Sequence, residues 1–173
     1  MHQLTLHPDC QSGPIHAVFA DVIATDNGCK ASFKLAGDIA QIKVPAPADG
    51  TRTDFLWKTT CFEIFWQPTG GTYYREFNLS PSSRWACYDF ADFRLNSRDA
   101  PVEAIAIACC HDAESLELQA DIASQLPLPG IVALNAIVED LHGNIQFWAL
   151  EFEAGKPEFH SEVCRKLTLE NTR

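Results

Sequence analysis

Residues 56–94, LWKTTCFEIFWQPTGGTYYREFNLSPSSRWACYDFADFR, decide the fold, because they contain three of the four tryptophans and all three tyrosines. Residues 60–67 and 72–80 are rich in aromatic and β-branched side chains, which favour strands. Between them, Gly70 and Gly71 supply the backbone freedom that a tight hairpin turn needs. The stretch therefore predicts consecutive antiparallel strands joined at this glycine pair.

A two-residue turn at Gly70-Gly71 determines which side chains share a face of the hairpin. In that register Glu63 faces Asn78 and Phe65 faces Glu76, and side chains alternate along each strand. One face is apolar and is predicted to join the core; its residues are Phe62, Ile64, Trp66, Phe77 and Leu79.

The opposite face of this hairpin mixes polar and aromatic side chains. Burying carboxylates and amides without partners is costly, so we expect this face to be a solvated, concave surface that binds a polar ligand. Its residues are Cys61, Glu63, Phe65, Tyr74, Glu76, Asn78 and Ser80.

The rest of the chain predicts further short strands. Apolar runs alternate with turn signals about every eight to twelve residues, which is typical of an antiparallel sandwich or barrel. Helical periodicity is nearly absent, apart from one short turn expected at residues 161–164. The sequence predicts an all-β fold: one antiparallel β-sandwich domain of about ten strands over residues 1–173, with at most one short helical turn near the C-terminus.

Composition narrows the class of protein. Hydrophobic residues at 46% and charged residues at 21% are typical of a globular domain. The 13 basic and 23 acidic residues give a net charge of −10, which argues against nucleic acid as a partner. The start lacks a signal-peptide pattern and no apolar run reaches about eighteen residues. We therefore expect a cytoplasmic protein that does not bind or cross a membrane.

The seven cysteines contain no C-x-x-C pair, and no histidines or cysteines have zinc-ligand spacing. An odd number of scattered cysteines indicates mostly buried free thiols in a reducing compartment. No metal site is predicted from these residues.

Four motifs connect this chain to a known family. Residues 60–63 are Thr-Cys-Phe-Glu, residues 76–82 are Glu-Phe-Asn-Leu-Ser-Pro-Ser, residues 147–150 are Phe-Trp-Ala-Leu and residues 157–160 are Pro-Glu-Phe-His. With these motifs the chain resembles the bacterial DOMON-like proteins, which are similar to the family nine carbohydrate-binding modules. The resemblance covers most of the chain. It implies a β-sandwich whose relatives bind sugars or haem, and it implies no reaction.

A sugar ring needs aromatic planes for its C–H faces and polar groups for its hydroxyls. In family nine modules two tryptophans enclose the ligand, which implies Trp57 and Trp85 for that role here. The alternative is that both tryptophans belong to the core. The candidate ligand-binding residues are Trp57, Glu63, Tyr74, Glu76, Asn78, Trp85, Tyr88 and Arg94.

The two acidic candidates have three alternative roles. In the predicted register Glu63 and Glu76 are diagonal neighbours, with Cβ atoms about 7–8 Å apart or somewhat less. They could pair with Arg75, Arg84 or Arg94, or accept hydrogen bonds from loop amides, and so organise the polar face. They could instead bind a ligand or a cation such as Ca²⁺, or act as the acid/base pair of a glycoside hydrolase.

Haem is disfavoured, although some DOMON domains hold it between methionine and histidine. The sole methionine is Met1, and a pair drawn from His111, His142 and His160 would be needed instead. We predict no cofactor. The predicted function is a non-catalytic module that binds a carbohydrate or a similar polyhydroxylated molecule. The alternatives are a small glycoside hydrolase that uses Glu63 and Glu76, or a protein-interaction domain with exposed aromatic residues. The sequence assigns neither a protein partner nor an oligomeric state.

Overall fold

The protein is built almost entirely from β-strands, as shown by a computed structural model that describes residues 1–170 of the chain. Its strands are β1 (His2–Leu6), β2 (Ile15–Thr25), β3 (Gly28–Gly37), β4 (Cys61–Pro68), β5 (Tyr74–Leu79), β6 (Trp85–Phe90), β7 (Arg98–Asp99), β8 (Ala104–His111), β9 (Ser115–Ala123), β10 (Gly130–Glu139), β11 (Ile145–Ala149) and β12 (Leu167–Leu169).

Short 3-10 turns interrupt the strands at Ile39–Gln41, Leu56–Lys58 and Glu162–Cys164. The third is the helical turn that was expected near the C-terminus. Among the described residues it is the one turn of this kind near the C-terminus, as predicted, and the other two lie in the connections before β4.

The strands form one continuous antiparallel sheet. The order of hydrogen-bonded neighbours is β7-β6-β5-β4-β10-β11-β1-β2-β3-β9-β8, and β12 pairs with β10. Strand β1 joins the two halves of this path, because it pairs with β11 on one side and with β2 on the other. The fold is therefore a curled antiparallel sheet of twelve strands. Separation into the two layers of a sandwich stays a prediction.

The main hydrophobic core combines apolar side chains from both halves of the sheet. Phe33 of β3 packs on Phe62 of β4, with ring centroids 4.9 Å apart. The predicted core face of the hairpin is confirmed, since all five of its residues are buried in this cluster: Phe62, Ile64, Trp66, Phe77 and Leu79.

The predicted register of the β4–β5 hairpin is confirmed, but its turn is longer than two residues. Phe65 pairs with Glu76 and Glu63 with Asn78, and pairing ends one step beyond, where β4 approaches Pro68. Proline has no backbone N–H to donate, so the ladder cannot continue through this position. Gly70 alone of the glycine pair has a positive φ, at 79°. The connection is longer by the same number of residues on each side of the glycine pair, so the register is unchanged.

The polar face of this hairpin is buried, so the expected solvated surface was wrong. Glu63, Glu76 and Asn78 are 3%, 6% and 0% exposed. A second hydrophobic cluster covers this side of the sheet, and it includes Phe159 and Cys164 from the segment that follows β11. Packing of this C-terminal segment onto the sheet, rather than strand alternation, buries the polar side chains.

All seven cysteines are free thiols, and Cys29, Cys61, Cys87 and Cys164 are buried while Cys110 is exposed. Across residues 1–170, no helix combines the length and the apolar character that a membrane crossing requires.

Candidate functional site

A cavity of about 520 Å³ lies over the polar face of the β4–β5 hairpin. Its floor comes from the sheet, and its walls come from residues 54–57, 94–97 and 157–160. Five of the eight predicted ligand-binding residues line it: Trp57, Glu63, Glu76, Tyr88 and Arg94.

Two buried carboxyl groups form the floor of the cavity. The side-chain amide of Asn78 donates a hydrogen bond of 2.6 Å to Oε1 of Glu76. Within residues 1–170 the carboxyl group of Glu63 has no hydrogen-bond or ion-pair partner. Burial is the main cause that raises the pKa of both groups, and for Glu63 the nearby charge of Glu76 raises it further.

The alternative in which arginine forms an ion pair with Glu63 or Glu76 is not observed among the described residues, although the charge of Arg94 opposes the increase that burial causes in the pKa of both groups. The three arginines pair with other carboxylates. The N–O distance is 2.7 Å for Arg75 with Asp89, 3.1 Å for Arg84 with Asp49 and 2.9 Å for Arg94 with Glu158. The acidic pair is therefore available to a group from outside the protein.

Asn135 of β10 extends the polar row beside Glu63, its cross-strand neighbour. The side chain is fully buried, and neither its oxygen nor its nitrogen has a hydrogen-bond partner among the described residues. Buried polar atoms are normally hydrogen-bonded. A buried amide with two unsatisfied polar atoms therefore lies directly beside Glu63.

His160 connects the floor of the cavity to its wall. The backbone N–H of Arg94 donates to the hydroxyl oxygen of Tyr74, and this hydroxyl lies 2.7 Å from Nδ1 of His160. We assign the hydroxyl as donor to Nδ1, which leaves a proton on Nε2, 3.6 Å from Oε2 of Glu76. Burial, followed by the charge of Arg94, lowers the pKa of His160 to about 4. His160 is therefore a neutral donor at neutral pH, and its contact with Glu76 is not an ion pair.

Exposed aromatic rings form the mouth of the cavity. Trp57 is 46% exposed and Phe55 is 61% exposed, and their ring centroids are 6.5 Å apart. Phe55 has a left-handed backbone with φ 64°, which is uncommon for a bulky residue. Such a conformation is held by the surrounding structure and is frequent at ligand sites. Both rings border the opening of the cavity.

Three of the predicted residues do not line the cavity. Asn78 and Tyr74 lie beneath its surface and orient Glu76 and His160. Trp85 packs against the main core, and its indole N–H donates to the carbonyl of Gly50. Trp85 is therefore a partly buried residue beside the core and lies outside the cavity.

The structure adds cavity residues that sequence reasoning did not select, namely Asp54, Phe55, Phe90, Ser97, Ile137, Phe147, Pro157, Phe159 and His160. Three of them, Pro157, Phe159 and His160, belong to the Pro-Glu-Phe-His motif at residues 157–160. The presence of that motif was the sequence signal that could have placed His160 in the site. His111 and His142 are exposed and lie in other parts of the fold. Among residues 1–170, no cluster of three or more histidine, cysteine or acidic side chains could hold a metal ion.

No family model matches the sequence, and a comparison with curated proteins found no match. Among solved structures, the chain is similar to a protein from Bacteroides uniformis that is provisionally described as carbohydrate-binding. The TM-score is 0.60 at 15% sequence identity, and the alignment covers 89% of this chain and 78% of that chain. At this identity the likeness shows a shared fold.

Proposed function

We propose that the protein is a non-catalytic module that binds a carbohydrate or a similar polyhydroxylated molecule in the cavity over β4 and β5. The observation that carries this proposal is the cavity itself, which brings exposed aromatic rings and buried carboxyl groups together. Its volume of about 520 Å³ is within the range of about 300–1,000 Å³ for small-molecule sites.

The fold and the motifs support the same proposal. The chain shares its fold with a protein provisionally described as carbohydrate-binding. Its motifs resemble those of the DOMON-like proteins and the family nine modules. We also propose that residues 1–173 form a single DOMON-like β-sandwich domain.

Hydrolysis is the second candidate, because Glu63 and Glu76 lie on one face and their raised pKa values suit a general acid. A retaining hydrolase also needs one of the two carboxylates ionised as the nucleophile. Burial disfavours the charged form of both groups here, and arginine pairs with neither. These facts favour binding over catalysis.

A thermal-shift screen with mono- and disaccharides tests the binding proposal. A sugar at about 100 times its Kd is expected to raise the free energy of unfolding by about 2.7 kcal/mol, which corresponds to several degrees in Tm. Trp57→Ala should abolish the shift, because it removes an aromatic plane at the mouth. Tyr73→Ala is the matched control, since Tyr73 is 52% exposed and lies outside the cavity.

The proposal fails if no sugar shifts the melt, or if both variants lose the shift equally. Incubation of any sugar that binds, as its aryl glycoside, separates binding from hydrolysis. Turnover that is lost in Glu63→Gln while affinity persists would establish the hydrolase instead.

A further inference from the structure

The cavity and its surroundings contain more carboxyl groups than the arginines of the protein pair with. Asp54, in the cavity wall, is 3.0 Å from Arg52, which also pairs with Asp99. Glu158, next to the lining residue Pro157, is 2.9 Å from Arg94. Each of these two carboxylates therefore has an arginine partner. Neither carboxyl group of the floor forms an ion pair with arginine, although the charge of Arg94 opposes the increase that burial causes in the pKa of both.

Glu63 is the strongest indication of a missing partner. Glu63 is only 3% exposed, and it lines the cavity. An ionised carboxylate in such a place is unfavourable without a cation or several hydrogen-bond donors. Its neighbour Glu76 receives a hydrogen bond from Asn78, and otherwise faces neutral His160. A positive group in the cavity would compensate both carboxylates together.

The walls of the cavity suit an organic cation. Six of its lining residues are aromatic: Phe55, Trp57, Tyr88, Phe90, Phe147 and Phe159. Aromatic faces attract ammonium groups, and buried sites strengthen this attraction. The mouth already shows one such contact, because Nζ of Lys58 lies 4.4 Å from the ring centroid of Phe55.

A metal ion fits the cavity less well. Ca²⁺ takes about six to eight oxygen ligands, whereas the floor offers two carboxyl groups and the walls are largely aromatic. No metal-binding cluster occurs in the part of the chain that the structure describes.

We propose that the ligand of this cavity carries a protonated amine, so that its class is an amino sugar and not a neutral sugar. This inference rests on the proposed function and names the ligand class of the same site. The ammonium group pairs with Glu63 and Glu76 at the floor, and the apolar face of the sugar ring contacts the aromatic rings at the mouth.

Proton release gives this pairing a signature that a neutral sugar lacks. Burial raises the pKa of both floor carboxyl groups, so each holds its proton more firmly in the free protein. An ammonium group favours the ionised carboxylate, so binding displaces protons into the buffer. A neutral sugar brings no charge and displaces none by this route.

Calorimetric titration of the full chain tests the inference with matched pairs: glucosamine with glucose, and galactosamine with galactose. N-acetylglucosamine serves as an uncharged amide. We expect one amine to bind at least about tenfold more tightly than its neutral counterpart, which is about 1.4 kcal/mol. The apparent binding enthalpy should depend on the ionisation enthalpy of the buffer, because protons are released.

Glu63→Gln should remove most of the tenfold preference for the amine, and Glu76→Gln provides a second variant with the same expected effect. Glu103→Gln is the control, since this exposed carboxylate lies outside the cavity and should leave the preference unchanged. A melt of each variant verifies that it is folded.

Three results would overturn the inference. If a neutral sugar binds as tightly as its amine, the site binds sugars but does not select for charge. If Ca²⁺ alone stabilises the protein and competes with the amines, the carboxyl groups bind a metal. If no sugar of either kind binds, the proposed function fails together with the inference.

Discussion

Glu63 is a buried acid whose chemistry is set by its neighbours on the sheet. Asn135 and Asn78 are its cross-strand partners, and neither donates to its carboxyl group in the described structure. Burial and the charge of Glu76 raise its pKa well above the ordinary value of 4.5. Because burial disfavours the charged form of Glu63, we expect this residue to reduce the stability of the protein without ligand.

Glu63→Gln is predicted to be more stable than the natural protein at neutral pH. The unfolded chain releases the proton of Glu63 near 4.5, whereas the folded chain retains it to a higher pH. Between these two values the folded state binds more protons, so the free energy of unfolding falls as pH rises. Glutamine does not titrate, and the advantage of the variant should grow with pH across this window.

Urea denaturation of both proteins at a series of pH values measures this difference. Titration of His160 acts in the opposite direction between 6.5 and about 4, but it is common to both proteins and largely cancels in the comparison. A difference that is constant with pH would show that Glu63 does not titrate as described.

At the scale of elements, the segment between β11 and β12 closes the site. Ser161 caps the 3-10 turn at Glu162–Cys164: its Oγ accepts from the N–H of Val163 and donates to Glu153 over 2.7 Å. The guanidinium carbon of Arg165 lies 4.3 Å from the ring centroid of Tyr74. These contacts hold His160 over the acidic floor.

Ser161→Ala is predicted to destabilise the protein by about 1 kcal/mol, the usual effect of losing a capping side chain. Ligand affinity should fall as well, because the cap immediately follows His160 in the cavity wall. Denaturation and sugar titration measure the two effects. Ser12→Ala, at an exposed position, is the control and should change neither. Unchanged affinity in Ser161→Ala would mean that the wall is held by its other contacts.

For the molecule as a whole, β1 is the connection between the two halves of the sheet. Leu4 of this strand is 2% exposed and belongs to the main core. We predict that Leu4→Ala lowers the free energy of unfolding by about 2–5 kcal/mol and that unfolding stays a single transition. Leu95→Ala, at a position that is 57% exposed, should change stability by less than about 0.5 kcal/mol.

Denaturant unfolding followed by tryptophan fluorescence and by circular dichroism measures this prediction. Coincident curves would support a single cooperative domain. Two separate transitions, with only one shifted by Leu4→Ala, would mean that the halves unfold independently and that the one-domain proposal is wrong.

Much of the β4–β5 hairpin could be predicted from the sequence. The glycine pair centred the turn well enough to give the observed pairing, and with that register Phe62, Ile64 and Trp66 fall on one apolar face while Glu63 falls on the other. The number of turn residues was not predictable from the glycines alone, because Pro68 ends the ladder early. Trp57 and Trp85 are chemically alike in sequence, and only their positions in the fold separate the cavity mouth from the core.

The β-rich class, the hairpin register and the set of polar side chains that share one face could all be predicted from the sequence, because strand alternation is a local property. The covering of this face depends on long-range packing. His160 contacts Tyr74 from 86 residues away, and Phe159 comes with it. The alternation of side chains along a strand does not indicate which distant segment will pack on the sheet. Which segment packs there depends on the total apolar area that the folded chain can bury. Packing of the C-terminal segment turns the polar face of the hairpin into a cavity with a buried acidic floor.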